Sequence, residues 1–314
     1  MQLGLGTAAL GRPQYINLRR EVPEGQDLET FKAQGFSVLE NAYNLGVRYF
    51  DTAPGYGLAE QLVLEWLQTK NDPSIQIATK WGYTYVANFD INATIHEIKE
   101  HSIEKLKEQW EVSKAFMPHL RVYQIHSASL ETGVLVNEAV LIPLAFLKKE
   151  HKLEIGITTT GDNQVDVIKK ALDVTVDGQQ LFDAFQVTYN MLDQSLGKIS
   201  RELVQQEKRI IIKEALANGR VFRNKAYSHY INLYGELERL AYKYKVGVDA
   251  IALQFCGQTL PTSILLSGAS NTAQLQENLK LNTFNLSEDE ILELALFKID
   301  PITYWKERSH LKWN

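Results

Sequence analysis

The sequence predicts an α/β fold, a (β/α)8 barrel in a single domain spanning residues 1–314. Short β-branched runs alternate with longer amphipathic segments from end to end, and eight such runs fit a chain of 314 residues, a little above the about 250 usual for such barrels. A doubly wound open sheet is the alternative, but no Gly-x-Gly-x-x-Gly turn opens a helix after a strand. Gly4-Leu5-Gly6-Thr7 comes nearest and lies inside the first run.

The strand candidates are Leu3–Thr7, Val47–Thr52, Ile75–Trp81, Val122–Ser127, Leu153–Thr158, Ala184–Tyr189, Arg209–Glu214 and Ile264–Gly268. Between them, Thr30–Leu45 carries Phe31, Phe36, Leu39 and Tyr43 close to a helical period. Leu58–Leu67, Ile91–Trp110, Val134–Lys149, Gln164–Leu172 and Ser195–Gln206 follow the same pattern. Two further helical stretches, Tyr227–Tyr244 and Asp249–Gln258, interrupt the alternation before the eighth strand. After it come Asn271–Leu279 and a helix opened by Ser287, which forms a capping box with Glu290. The aromatic and basic tail from Tyr304 to Trp313 has two readings, a cover for the barrel mouth or padding on the surface.

A hydrophobic share of 45% supports a sizeable core, and a net charge of -5 argues against a nucleic-acid surface. The single cysteine, Cys256, excludes an internal disulfide and points to a reducing cytoplasm. Met1–Thr7 has neither a basic leader nor a long apolar stretch, and no run approaches the about 20 residues that span a bilayer. A soluble cytoplasmic protein is expected, a monomer or weak homo-oligomer, with no nucleic-acid or membrane partner.

Three consecutive runs end on chemistry. The second ends at Asp51 and runs into Thr52-Ala53-Pro54-Gly55-Tyr56-Gly57; the third ends on Lys80; the fourth ends at His126. On parallel barrel strands these ends share one mouth. Each has an ordinary reading alone: Asp51 as a loop cap, His126 as a bonded core histidine, Tyr56 as one of fourteen tyrosines, Lys80 as the partner of a structural ion pair. Their convergence is what points to catalysis.

Asp51-Thr52-Ala53-Pro54-Gly55-Tyr56-Gly57, Thr79-Lys80-Trp81-Gly82 and Gln124-Ile125-His126-Ser127 together resemble the aldo-keto reductases, in order and spacing over nearly the whole chain. The resemblance implies a (β/α)8 barrel, reduction of a small-molecule carbonyl by a nicotinamide cofactor without metal, and Tyr56 as general acid with Lys80, Asp51 and His126 as partners. The chemistry is consistent with that. Hydride addition to a carbonyl builds negative charge on oxygen, so a proton donor must wait there. A phenol's reference pKa is near 10; the Lys80 ammonium is expected to lower it, with Asp51 holding that ammonium charged and His126 orienting the substrate oxygen.

Ser267-Gly268-Ala269-Ser270-Asn271 leaves the last strand and opens a helix, where free N–H groups and a positive dipole end suit a phosphate. This segment resembles the aldo-keto reductases related to potassium-channel β subunits. The resemblance implies that Gly268, Ser270, Gln274, Glu277 and Asn278 hold the adenosine end of the cofactor. An ordinary helix capped by Ser270 is the other reading. At the nicotinamide end it implies Gly6, Thr7, Asp51, Thr158, Thr159 and Gln186, with Lys213 and Leu216 from the strand-seven segment.

Three departures stand out. Lys213 occupies the position where the family presents an aromatic ring to the nicotinamide. No strong cation lies within Gly268–Asn278, so a 2′-phosphate needs Arg220 or Arg223 from the preceding loop; NADP(H) rather than NAD(H) is the family expectation. The first strand also starts too early for an N-terminal hairpin under the barrel, so another element, such as a terminal helix, is expected over the base. Tyr15, Trp81, Tyr83, Tyr85 and the tail are the pocket candidates, and they suit apolar and sugar-like carbonyl compounds equally. Two rivals remain in view: a Schiff-base lyase with Lys80 as nucleophile, and a non-catalytic or slow cofactor-sensing interaction subunit.

Overall fold

The computed structural model describes residues 1–12, 28–90 and 93–311. Its strands are β1 (Gln2–Gly6), β2 (Tyr49–Asp51), β3 (Gln76–Trp81), β4 (Tyr83–Tyr85), β5 (Glu97–Lys99), β6 (Leu120–Ala128), β7 (Glu154–Thr159), β8 (Thr175–Val176), β9 (Gln179–Gln180), β10 (Ala184–Thr188), β11 (Arg209–Lys213) and β12 (Ile264–Ser267). Eight of them, β1, β2, β3, β6, β7, β10, β11 and β12, close into a parallel barrel in chain order, with β12 pairing back onto β1. They are the eight runs expected from the sequence, with ends displaced by a few residues.

The helices are α1 (Ala8–Gly11), α2 (Leu28–Asn44), α3 (Ala59–Leu67), α4 (Ile103–Ser113), α5 (Glu138–His151), α6 (Gln164–Leu172), α7 (Ser200–Gln205), α8 (Ile231–Tyr244), α9 (Val248–Thr259), α10 (Thr272–Leu279), α11 (Glu288–Ala295) and α12 (Pro301–Ser309). The capping box at Ser287 and Glu290 forms as expected. The helix expected over 91–110 does not: β4 and β5 pair antiparallel across this region, and α4 starts only at Ile103. Ser102 caps α4 by accepting from the Lys105 amide. Ile95 and Ile98, which suggested an apolar helix face, are exposed at 63% and 52%. Ile91 lies outside the described residues.

Side chains alternate across the barrel wall with period two. Phe50, Ile77, Tyr123, Phe185 and Ile212 face outward into the large core shared with the helices. Their neighbours Tyr49, Ala78, Val122, Ala184, Ile211 and Ile264 meet inside as a separate apolar cluster. Two residues further along the same strands stand Asp51, Lys80, Gln124, Gln186 and Lys213. An apolar layer thus fills the lower barrel and a polar layer lies above it at the C-terminal strand ends, where barrel enzymes carry their sites.

The tail's helix α12 lies at that upper end. Tyr304 is fully buried and its hydroxyl meets Asn190 and Glu214, while Arg308 bonds Glu214. It therefore does not lie at the base, where a terminal helix was one of the elements expected. Trp313 is outside the described residues.

Candidate active site

Asp51 ends β2, and its backbone oxygen is held by both the amide and the hydroxyl of Thr7, at 2.9 and 3.0 Å. Lys80 on β3 is fully buried; its ammonium donates to Asp51 Oδ2 at 2.5 Å and to the Thr52 carbonyl at 2.9 Å. Asp51 Oδ1 accepts from the Gln186 amide at 2.6 Å. Both carboxylate oxygens are therefore bonded, as a buried ion pair requires.

Tyr56 closes the short 3-10 turn Pro54–Tyr56. Lys80 Nζ lies 4.7 Å from its ring centroid, and the His126 ring meets it edge-on at 5.5 Å. The β6–β7 register shifts between Ile125 and Ala128, where Ser127 takes φ 51°. This bulge turns both His126 and Ser127 toward the mouth cavity. His126 Nδ1 is buried without a hydrogen-bond partner. The imidazole is held well below its ordinary pKa by burial, by Lys80 and by Arg12, so it is neutral.

The Tyr56 phenol does not follow the sequence expectation. Burial, reinforced by Asp51, pushes it well above the ordinary tyrosine value, and Arg12 only partly opposes this. The Asp51 carboxylate that pairs with Lys80 adds to the rise. In this environment Tyr56 keeps its proton.

These groups border a cavity of about 150 Å³. Of the residues expected at the site, Tyr56, His126, Thr158, Gln186, Lys213 and Tyr83 line it, and Asp51 with Lys80 lies behind Tyr56. Sequence reasoning missed Arg12, Glu97, Ser127, Thr160 and Arg308, and treated Glu214 only as part of an alignment. Arg12 bonds Glu97 at 2.9 Å, and Arg308 bonds Glu214 through Nε and Nη2 at 3.2 and 3.0 Å. Burial alone would raise the Glu214 pKa, yet Arg308 and Lys213 outweigh it and bring it to about 2.

The remaining expected residues have other surroundings. Gly6 ends β1 beside Asp51 in the register, and Leu216 is half-buried against the core. Thr159 is fully buried and its hydroxyl bonds Gln164. Trp81 is buried edge-on to His101, and Tyr85 packs on Phe89. Tyr15 lies outside the described residues. Arg220 requires a correction as a phosphate ligand. It is fully buried, lies 4.0 Å from the Tyr304 ring centroid and pairs with Glu307 at 3.2 Å, so it cannot present its charge to a surface phosphate. Arg223 pairs with Glu238.

After β12, Ser267 Oγ donates to Asn278, whose amide donates to Asp249. Asn278 is therefore an internal brace of the turn. Gln274 Oε1 accepts from the Ser270 amide and hydroxyl, Glu277 pairs with Lys280, and α10 is capped by Asn271 rather than Ser270. The backbone at Gly268 borders open space, with nothing within 4 Å of where a Cβ would stand. The residues present are compatible with a dinucleotide: the Gly268 backbone ahead of α10 borders open space on the side where phosphates would lie, and Thr158 and Gln186 form part of the cavity wall.

A closed (β/α)8 barrel with its polar groups gathered at the C-terminal strand ends has the architecture of a barrel enzyme. The chain belongs to the aldo/keto reductase family, whose profile matches residues 2–297. It is 24% identical over 287 residues to an uncharacterized oxidoreductase, YqkF, of Bacillus subtilis (strain 168), covering 85% of this chain and 88% of that one. A shorter stretch of 82 residues is 37% identical to D-threo-aldose 1-dehydrogenase of Pseudomonas sp, covering 26% of this chain and 21% of that protein. Among solved structures, the holo form of aldo-keto reductase AKR11C1 from Bacillus halodurans superposes with a TM-score of 0.70 at 19% identity, over 94% of this chain and 91% of the other. The glycerol dehydrogenase AKR11B4 from Gluconobacter oxydans does so with a TM-score of 0.70 at 18% identity, over 94% and 90%. The chain is an aldo-keto reductase, a carbonyl-reducing oxidoreductase of a family that uses nicotinamide cofactors on small-molecule carbonyl compounds. Among the described residues no helix is long and apolar enough to cross a membrane.

Proposed function

We propose that this chain reduces the carbonyl of a small aldehyde, ketone or aldose, or runs the reverse alcohol oxidation, with Tyr56 as general acid and Lys80, Asp51 and His126 as its partners. The observation that carries the proposal is the Tyr56 ring at the cavity wall, backed by the Asp51–Lys80 pair and flanked by His126. When bound, the nicotinamide supplies the hydride. The protein's part is the proton. Burial keeps Tyr56 protonated, so it can donate to the oxygen on which negative charge develops. The Lys80 ammonium behind the ring favours the phenolate left after donation, and Asp51 and Thr52 fix that ammonium. Neutral His126 hydrogen-bonds the carbonyl oxygen and aligns it. In the oxidative direction Tyr56 receives the same proton back.

Thr158 and Gln186 are assigned to the ring end of the cofactor and Gly268, Ser270, Gln274 and Glu277 to its adenosine end, with Asn278 and Thr159 bracing them from behind, while Lys213, bonded to Thr188, is left facing the cavity. NADP(H) is proposed over NAD(H) on the family resemblance alone, Arg220 and Arg223 both being paired within the protein. The full burial of Lys80 against Asp51 supports an acid–base role over a Schiff-base nucleophile, which requires an uncharged amine.

Tyr56→Phe tests the assignment. Carbonyl reduction is expected to fall by about 10²–10⁴, while fluorescence titration gives unchanged dinucleotide affinity, with NADPH tighter than NADH. Near-normal turnover would remove Tyr56 from its role, and failure of both dinucleotides to bind would remove the reductase reading.

A further inference from the structure

Among the described residues, the wall of the cavity beside Tyr56 carries no aliphatic side chain and consists of hydroxyls, an amide, an imidazole, two phenol rings and five charged groups. Small-molecule pockets are mostly apolar with a few polar groups. Here an apolar carbonyl compound would strip water from those charges and replace none of its hydrogen bonds. The ligand must itself be densely polar.

The charges are unequally compensated. Arg12 meets the Glu97 carboxylate at 2.9 Å, and Arg308 grips Glu214 with two N–H groups. Lys213 donates to the Thr188 hydroxyl at 3.0 Å. Its nearest carboxylate oxygen among the described residues is on Glu214, 4.0 Å away and already bonded to Arg308. Among the described residues, three cationic and two anionic groups thus face one cavity, and Lys213 holds the longest ion pair of the three cations.

We propose that the site takes a short, hydroxyl-bearing carbonyl compound with an anionic group, a carboxylate or a phosphate, and that Lys213 with Arg308 beside it receives that anion. The inference rests on the reductase reading for the carbonyl but not for the anion. A charge-assisted bond to the anion adds a partner to Lys213, and Ser127 and Thr160 offer hydroxyls to the rest of the molecule. Burial depresses the Lys213 pKa, and an anion beside it favours its ammonium form.

Three non-reacting three-carbon probes test this by calorimetry on the full chain, without any need for turnover: D-glycerate, glycerol 3-phosphate and neutral glycerol. At least one anion is expected to bind about tenfold or more tighter than glycerol, and the two anions distinguish carboxylate from phosphate. Lys213→Met is expected to shrink that advantage to about twofold or less, and Lys213→Arg to retain most of it, with folding of both checked by circular dichroism. Equal affinity for all three probes, no binding of any, or an anion preference that survives in Lys213→Met would overturn the proposal. An anion preference alongside normal turnover in Tyr56→Phe would leave the anion site standing and sink only the catalytic assignment.

Discussion

At the scale of single residues, the Asp51–Lys80 pair is the most constrained feature of the site. Lys80 has no solvent to fall back on, and both oxygens of Asp51 are committed, one to Lys80 and one to Gln186. Removing one member strands the other. Asp51→Asn leaves a buried ammonium without a counter-charge and is expected to cost about 3–5 kcal/mol. The double variant Asp51→Asn with Lys80→Met carries no stranded charge and is expected to be more stable than the sum of the singles by about 1 kcal/mol or more. Urea unfolding of the four proteins measures this; simple additivity would show that the two groups act independently. The positions of Asp51, Lys80 and His126 at the mouth were legible in the sequence because a residue at the end of an apolar run faces the mouth of a parallel barrel, and that of Tyr56 because it lies on the loop that follows Asp51. Arg12 and Glu97 were not, being 85 residues apart and joined only by the fold. Arg220 misled because a loop arginine reads as a surface charge, whereas the Tyr304 ring and Glu307 draw it inside.

At the scale of elements, α12 is fixed to the strand ends by polar contacts that no periodicity announces. Glu214 accepts from Arg308 and Tyr304, Trp305 donates to Asp193, and Arg220 ties to the Tyr304 carbonyl. The sequence marked the tail as aromatic and basic but left its place open, since the partners lie about 90 residues away. The β4–β5 hairpin was misread for a related reason: spacing suggested a helix, but Ile95 and Ile98 have no core to face. Glu214 also sets a pH dependence. Its pKa in the folded protein, about 2, lies below the ordinary 4.5, so its stabilisation is complete above about pH 4.5 and is lost as pH falls toward 2. Glu214→Gln is expected to lower stability at neutral pH by about 2–3 kcal/mol. The gap from wild type should close progressively below pH 4.5. A gap that stays constant down to pH 2 would mean that the carboxylate's charge is not what holds α12.

At the scale of the whole molecule, barrel closure couples packing to chemistry. The eight strands could be read from their β-branched runs, but the separation of the interior into an apolar layer below a polar one emerges only from the register. Gly156 sits where these layers meet, paired with Gln124 on one side and Ala184 on the other. A Cβ there would stand 2.7 Å from the Ala184 carbonyl oxygen and 3.0 Å from Gln124 Cγ. The first contact is with backbone of a neighbouring strand, and a closed barrel has no free edge along which β7 can slide away. Gly156→Ala is therefore expected to overpack the interior and cost about 1–3 kcal/mol. The strain should also reach the site, because Thr158 and Gln186 stand two residues beyond the contact on the same two strands and Gln186 bonds Asp51 at 2.6 Å. Carbonyl reduction should thus fall along with stability. Gly197→Ala is the control: nothing lies within 4 Å of its Cβ position, and its effect should stay within about 0.5 kcal/mol. Should Gly156→Ala match that control in urea unfolding and in rate, the barrel interior would have slack at this level, and the site could not owe its geometry to close packing beneath it.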